Sequence, residues 1–151
     1  MLTEGDKLPK LKVTDDEGNA ISTSDLLGES LVLYFYPKDD TPGCTNEASQ
    51  FRDLQAKFKR KKVRVVGVSR DSVASHQKFK AKYDIPFTLN ADTDSKLSDA
   101  FGVIVEKNMY GKKSMGVQRS TFLINGDGKI VRVWPKVKVD GHADEVLASL
   151  Q

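Results

Sequence analysis

Cysteine is almost absent from this chain: one residue, Cys44, among 151. A lone thiol excludes an internal disulfide. With only two histidines, no Cys/His set has the spacing of a metal site. Long apolar runs are missing too. The longest, Leu31 to Tyr36, is far short of the roughly 20 residues of a membrane span. The opening residues, MLTEGDKLPKLKV, lack an apolar signal core, so a cytoplasmic protein with no membrane contact is expected. There is no repeat, low-complexity tract or long linker. One domain over 1–151 is expected, burying roughly two-thirds of its unfolded surface without help from disulfide or metal.

Charge of one sign is also scarce, with a net +3. The one cluster, KFKRKKVR at 57–64, reads as cations closing a helix, where they suit its dipole. A single interleaved aromatic, Phe58, makes no stacking platform, so nucleic acid is not an expected partner.

What is present is an alternation of strand and helix signals. LKV and AIS flank the turn-rich DDEGN and predict an N-terminal β-hairpin. LVLYFYP (31–37) and VRVVGVS (63–69) are apolar runs of the kind found in strands buried on both faces. From Thr45, apolar residues recur helically at Ala48, Phe51, Leu54 and Phe58. A second helix carries Val73, His76, Phe79 and Tyr83 on one side, capped by Asp71 or Ser72. PFTLNAD reads as a short strand and SKLSDAFG as a short helix closed by Gly102. TFLIN and KIVRVW flank the hairpin turn Gly126-Asp127-Gly128, and HADEVLASL ends the chain as a helix. The fold class is therefore α/β, a central mixed β-sheet flanked by helices. In such sheets function gathers beyond the carboxyl ends of parallel strands, which here means Pro37 to Cys44.

A free thiol is only about 3% thiolate at pH 7, and the unpaired N–H groups of a helix start favour the anion. Greater acidity also lowers nucleophilicity, with a Brønsted slope of about 0.45, so it speeds attack by only about twofold. A fast thiol enzyme needs groups that stabilise the transition state. The Thr41 hydroxyl, one Pro-Gly turn before Cys44, can both donate to and accept from a peroxide. An arginine fork can touch sulfur and a departing oxygen together, and Arg52, Arg70, Arg119 and Arg132 are all candidates. Neither histidine reads as a partner for a Cys-His hydrolase. His76 reads as a packed residue and His142 as the start of the last helix. Trp134 and Tyr110 are candidates for the edge of a substrate or reductant site, with hydrophobic packing the favoured role for Trp134.

Pro37-Lys38-Asp39-Asp40-Thr41-Pro42-Gly43-Cys44 fits the P-x-x-x-T-x-x-C signature of the peroxiredoxins. YPKDDTPGCTNEASQFRD resembles the bacterioferritin comigratory protein, or peroxiredoxin Q, subfamily, and the likeness extends through GVSRDS, the strand from Arg119 and VKVDGHADEVL. The resemblance implies a thioredoxin-like fold and a cofactor-free thiol peroxidase acting on hydrogen peroxide and organic hydroperoxides. It makes Cys44 the nucleophile that becomes a sulfenic acid, with Thr41 holding peroxide and thiolate. It also makes Pro37 a shield, Gly43 part of the pocket and Arg119 the required arginine. By the same resemblance Glu47 orients the arginine or tunes the pocket, or, as a first-turn carboxylate, only suits the helix dipole. Many members carry a resolving cysteine where Ser49 stands here, and others on the following helix, near Lys80. Lacking both, this chain implies reduction by an external thiol: thioredoxin, glutaredoxin or glutathione. A natural one-cysteine enzyme and a serine-substituted two-cysteine enzyme both fit. A monomer is expected. A thioredoxin-type disulfide exchanger would want C-x-x-C, and Thr41 stands at its first position. A redox sensor would oxidise alike but turn over little.

Overall fold

The computed structural model describes residues 1–150 apart from the Met109 side chain. The expected N-terminal hairpin is formed by Lys12–Thr14 (β1) and Ala20–Ser22 (β2), with a single 3-10 turn after it. Ser30–Phe35 (β3) then enters the interior. Its Leu31, Leu33 and Phe35 face one way and Val32 and Tyr34 the other, and all five are buried, as in a strand covered on both faces.

The chain continues through Pro42–Asp53 (α1), Gln55–Arg60 (α2), Val63–Ser69 (β4), Val73–Tyr83 (α3), Thr88–Ala91 (β5) and Lys96–Phe101 (α4). Ile104–Met109 (β6) and Lys112–Val117 (β7) form a separate antiparallel hairpin. Ser120–Asn125 (β8), Ile130–Trp134 (β9) and His142–Ala148 (α5) complete it. The central sheet runs β5-β4-β3-β8-β9, with β3, β4 and β5 parallel and β8 antiparallel to both neighbours. One face packs Val32, Tyr34 and Tyr36 against Ala48 and Phe51 of α1, Phe58 of α2, Phe79 of α3 and Val146 of α5. The other packs Leu31, Leu33 and Phe35 against Leu97 and Phe101 of α4.

Three boundaries differ from the sequence reading. The first helix starts at Pro42 rather than Thr45, because proline fits the first helical position, where no N–H is needed. It breaks at Leu54, whose φ and ψ of −101° and 2° separate α1 from α2. The β6–β7 hairpin was not anticipated. On β7, Lys112, Lys113, Ser114 and Met115 are all exposed in a row, so it shows no apolar alternation. The basic cluster closes α2, with Lys57, Lys59 and Arg60 in its last turn, as expected. Among the described residues no helix is long and apolar enough to cross a membrane.

Two registers position the functional end. Phe35 lies opposite Ser120 across β3 and β8, so residue 119 arrives beside the carboxyl end of β3, where the Cys44 loop begins. Gly67 lies opposite Tyr34, and a Cβ there would come within 2.8 Å of Leu89 Cδ2 and 2.9 Å of the Tyr34 ring. Gly67→Ala is expected to destabilise the protein by about 1–3 kcal/mol through overpacking. Urea unfolding with an unchanged midpoint would contradict this packing.

Candidate active site

Pro42, Gly43 and Cys44 fill the first three positions of α1, and Thr41 is its cap in extended conformation, φ −98° and ψ 154°. The first-turn N–H groups lack intrahelical partners and face the helix start. The thiol is not exposed there: Cys44 is 1% accessible and packs in the cluster with Tyr34, Ala48 and Phe51. Its placement is thus apolar on one side and electropositive on the other.

The electropositive side is Arg119. Its Nη2 lies 3.2 Å from Cys44 Sγ and its Nη1 donates to Glu47 Oε1 at 2.7 Å. Glu47 follows Cys44 by three residues, so helical spacing puts both on one face of α1. With the helix starting at Pro42, Glu47 lies beyond its first turn and is 1% exposed, so the reading of it as a first-turn carboxylate does not hold. Burial pushes its pKa up to about 7, against the pull of the Arg119 charge. Burial opposes the charge on Arg119, but Glu47 and Cys44 outweigh that and raise its pKa. Glu47 Oε2 has no hydrogen-bond partner among the described residues.

Of the other arginines, Arg52 donates to the Tyr83 carbonyl and Arg70 to the Met115 carbonyl, while Arg132 lies 4.8 Å over the Trp134 ring. Geometry therefore selects Arg119 as the one against the sulfur. The Thr41 hydroxyl donates to the Lys38 carbonyl at 2.8 Å, so in this state it braces its own turn instead of the thiol. Pro37 is half-buried at the end of β3. A Cβ at Gly43 would come 3.2 Å from Arg119 Nη2, so the glycine leaves room for the guanidinium. Ser49 is half-buried on α1, and Lys80 on α3 is paired with Asp16 at 2.8 Å. Trp134 is buried, and Tyr110 is fully exposed at the tip of the β6–β7 hairpin.

Two features went unread in the sequence. Half-buried Lys107 on β6 has its pKa lowered by burial and by repulsion from Arg119, against the attraction of Cys44, so the hairpin brings a further cation within electrostatic reach of the arginine and the thiol. Asp39 is buried against His76, whose placement on the apolar side of its helix was the only available signal.

The AhpC/TSA family profile matches residues 4–133. The chain is 52% identical over 146 residues to a protein of Coxiella burnetii named putative peroxiredoxin bcp, covering 97% of each. It is 46% identical to peroxiredoxin Bcp of Bacillus subtilis, covering 97% of this chain and 94% of that one. Among solved structures, Xanthomonas campestris peroxiredoxin Q superposes with a TM-score of 0.87 at 49% identity over 93% of this chain and 89% of that one. A cysteine-to-serine mutant of Xylella fastidiosa PrxQ gives 0.93 at 44% identity over 99% and 96%. The sheet order and flanking helices are accordingly those of the thioredoxin-like peroxiredoxin fold.

Glu47 ties the site to pH. Because folding raises its pKa from 4.5 to about 7, the folded state favours the protonated acid. That contribution is whole below the unfolded value and is lost as pH rises through about 7. Between about pH 5 and pH 8 the wild type is expected to lose on the order of 2 kcal/mol of unfolding free energy relative to Glu47→Gln. Urea curves at the two pH values check it, and parallel pH dependences would contradict it.

Proposed function

The chain belongs to the AhpC/TSA family and, within it, to the Bcp or peroxiredoxin Q peroxiredoxins, and from that premise we propose that Cys44 is the thiol that meets peroxide. As a peroxiredoxin the protein is an antioxidant thiol peroxidase, reducing peroxide with electrons from a thiol. The observation that carries the assignment to Cys44 is the Arg119 guanidinium 3.2 Å from its sulfur and anchored on buried Glu47.

In the proposed cycle the Cys44 thiolate attacks one peroxide oxygen, the O–O bond breaks, and the departing oxygen takes a proton and leaves as water or alcohol. Cys44 becomes a sulfenic acid. Charge on the leaving oxygen is met by Arg119, a fixed donor that needs no reorganisation as charge develops. Thr41 turns its hydroxyl from the Lys38 carbonyl to the bound peroxide, Pro37 keeps water from the sulfur, and Gly43 leaves space for both. Hydrogen peroxide and organic hydroperoxides are the proposed substrates. A related Xanthomonas campestris bacterioferritin comigratory protein, 48% identical with a TM-score of 0.87, is described by its alkyl peroxide reduction activity.

The second half-reaction comes from outside. Ser49 and Lys80 offer no thiol, so an external thiol (thioredoxin, glutaredoxin or glutathione) attacks the sulfenic sulfur, releases water and forms a mixed disulfide. A second thiol then releases Cys44. A sulfur that is 1% exposed cannot be reached by such a molecule without opening of the first turn of α1. We assign this chemistry to the monomer.

Reduced protein mixed with substoichiometric hydrogen peroxide in stopped flow is expected to lose one thiol per peroxide, orders of magnitude faster than a free thiol. Intact mass after sulfenate trapping should show one adduct, absent from Cys44→Ser. Oxidation no faster than that of a free thiol would overturn the assignment.

A further inference from the structure

The segment that delivers Cys44 is fastened to α3 by a contact that the chemistry at sulfur does not use. The side chains of Asp39 and His76 are 2% and 0% exposed. Asp39 Oδ1 accepts from the Tyr36 hydroxyl at 2.6 Å. Its Oδ2 accepts from the Ser75 hydroxyl at 2.8 Å and lies 2.7 Å from His76 Nδ1. His76 Nε2 is 2.9 Å from the Asn90 carbonyl oxygen. A carbonyl only accepts, so Nε2 carries a hydrogen, and the contact between Nδ1 and Oδ2 needs another. The pair therefore holds a proton between imidazole and carboxylate inside the protein, where such bonds are strong and their loss is costly.

What the pair joins is more telling than its strength. The Asp39 N–H donates to Asp71 Oδ2 at 2.9 Å, and the same oxygen accepts from the Ser69 hydroxyl at 2.6 Å. The next residue, Asp40, is left-handed at φ 58°, and its carboxylate accepts from Lys82 at 2.9 Å and the Tyr83 hydroxyl at 2.7 Å. Thr41, the cap of α1, follows directly. Both aspartates between β3 and α1 are thus gripped by α3, one buried and one at the surface. Water screens the surface grip and leaves it little weight, so the buried pair sets how firmly the segment is held.

Resting on the reading of Cys44 as the peroxide-reactive thiol, we propose that His76 is a positioning residue for it. The His76–Asp39 contact keeps the 37–41 segment seated while peroxide reacts, and its release is part of the opening that admits the external thiol. His76 touches neither sulfur nor peroxide. Weakening the contact then favours the open form, which helps reduction and does not help oxidation. A merely structural role would slow both.

The test measures two rates in single turnover, oxidation of reduced Cys44 by one equivalent of hydrogen peroxide and reduction of the sulfenic acid so formed by glutathione added in a second mix. It compares wild type, His76→Gln and Tyr36→Phe. Tyr36→Phe keeps the pair and removes one hydrogen bond from the carboxylate, so it serves if His76→Gln does not fold. The ratio of reduction to oxidation is expected to rise about tenfold or more, the factor carried by one hydrogen bond to a charged group. Lys82→Ala, at the surface grip, should change it less than about twofold. A fast wild type with an unchanged or lower ratio in the folded variants overturns the positioning role alone. A wild type no faster than a free thiol overturns the reading of Cys44, and the positioning role with it.

Discussion

Arg119 bridges a sulfur and a buried carboxylate, and most of what surrounds the site exists to make that bridge possible. Its two ends, 3.2 Å from Cys44 Sγ and 2.7 Å from Glu47 Oε1, are fixed by different parts of the chain. The β3–β8 register brings Arg119 to the end of the sheet. Helical spacing puts Cys44 and Glu47 on one side of α1, and Gly43 leaves the space through which the guanidinium reaches them. The carboxylate is held in an apolar setting that resists its ionisation, which the arginine only partly relieves. A buried charge pair of this kind is weak evidence for stability and better read as a means of holding one geometry. Here that geometry aims a guanidinium donor at the Cys44 sulfur.

On the proposed assignment of Cys44, the burial that suits the thiol to a small oxidant also shields it from a large reductant. In the cycle proposed above, peroxide is small enough to reach a buried sulfur and a thiol-bearing partner is not, so the second half-reaction calls for an opening. The parts that would have to move are the 37–41 segment and the first turn of α1. The part that holds them is α3, through residues remote from the reacting atoms. On the proposal that the segment is closed for one half-reaction and open for the other, its fastening has to be neither weak nor permanent.

Much of this could be read from the residues. The two apolar runs that became β3 and β4, the turn at Gly126 to Gly128, the Ser72 cap and the Gly102 stop are local signals, and each formed as read. The single cysteine after Pro-Gly marked the site because that turn opens a helix. The choice of Arg119 among the candidate arginines was beyond composition, since it depends on strand register between residues far apart in sequence. The burial of Glu47 is likewise a tertiary property of a residue that suits an exposed first turn equally well. The β6–β7 hairpin left one local trace, the left-handed pair Tyr110 and Gly111 at φ 53° and 78°, as a two-residue hairpin turn requires. Its lysine-rich strands lacked the alternation that would have supported it. His76 was legible as a packed residue, but its partner Asp39 was not, because an aspartate in a turn-rich segment reads as surface.

On the proposed mechanism Arg119 stabilises the transition state of peroxide cleavage and does more than make the thiol available. The most direct measurement compares the rates at which Cys44 reacts with hydrogen peroxide and with iodoacetamide, a neutral reagent with no O–O bond to break, in wild type and Arg119→Ala. Losing one preorganised donor should slow the peroxide reaction by about 10²–10³ and the alkylation far less. Equal losses in both reactions would show that the arginine acts only on thiol acidity or access, and would contradict the account.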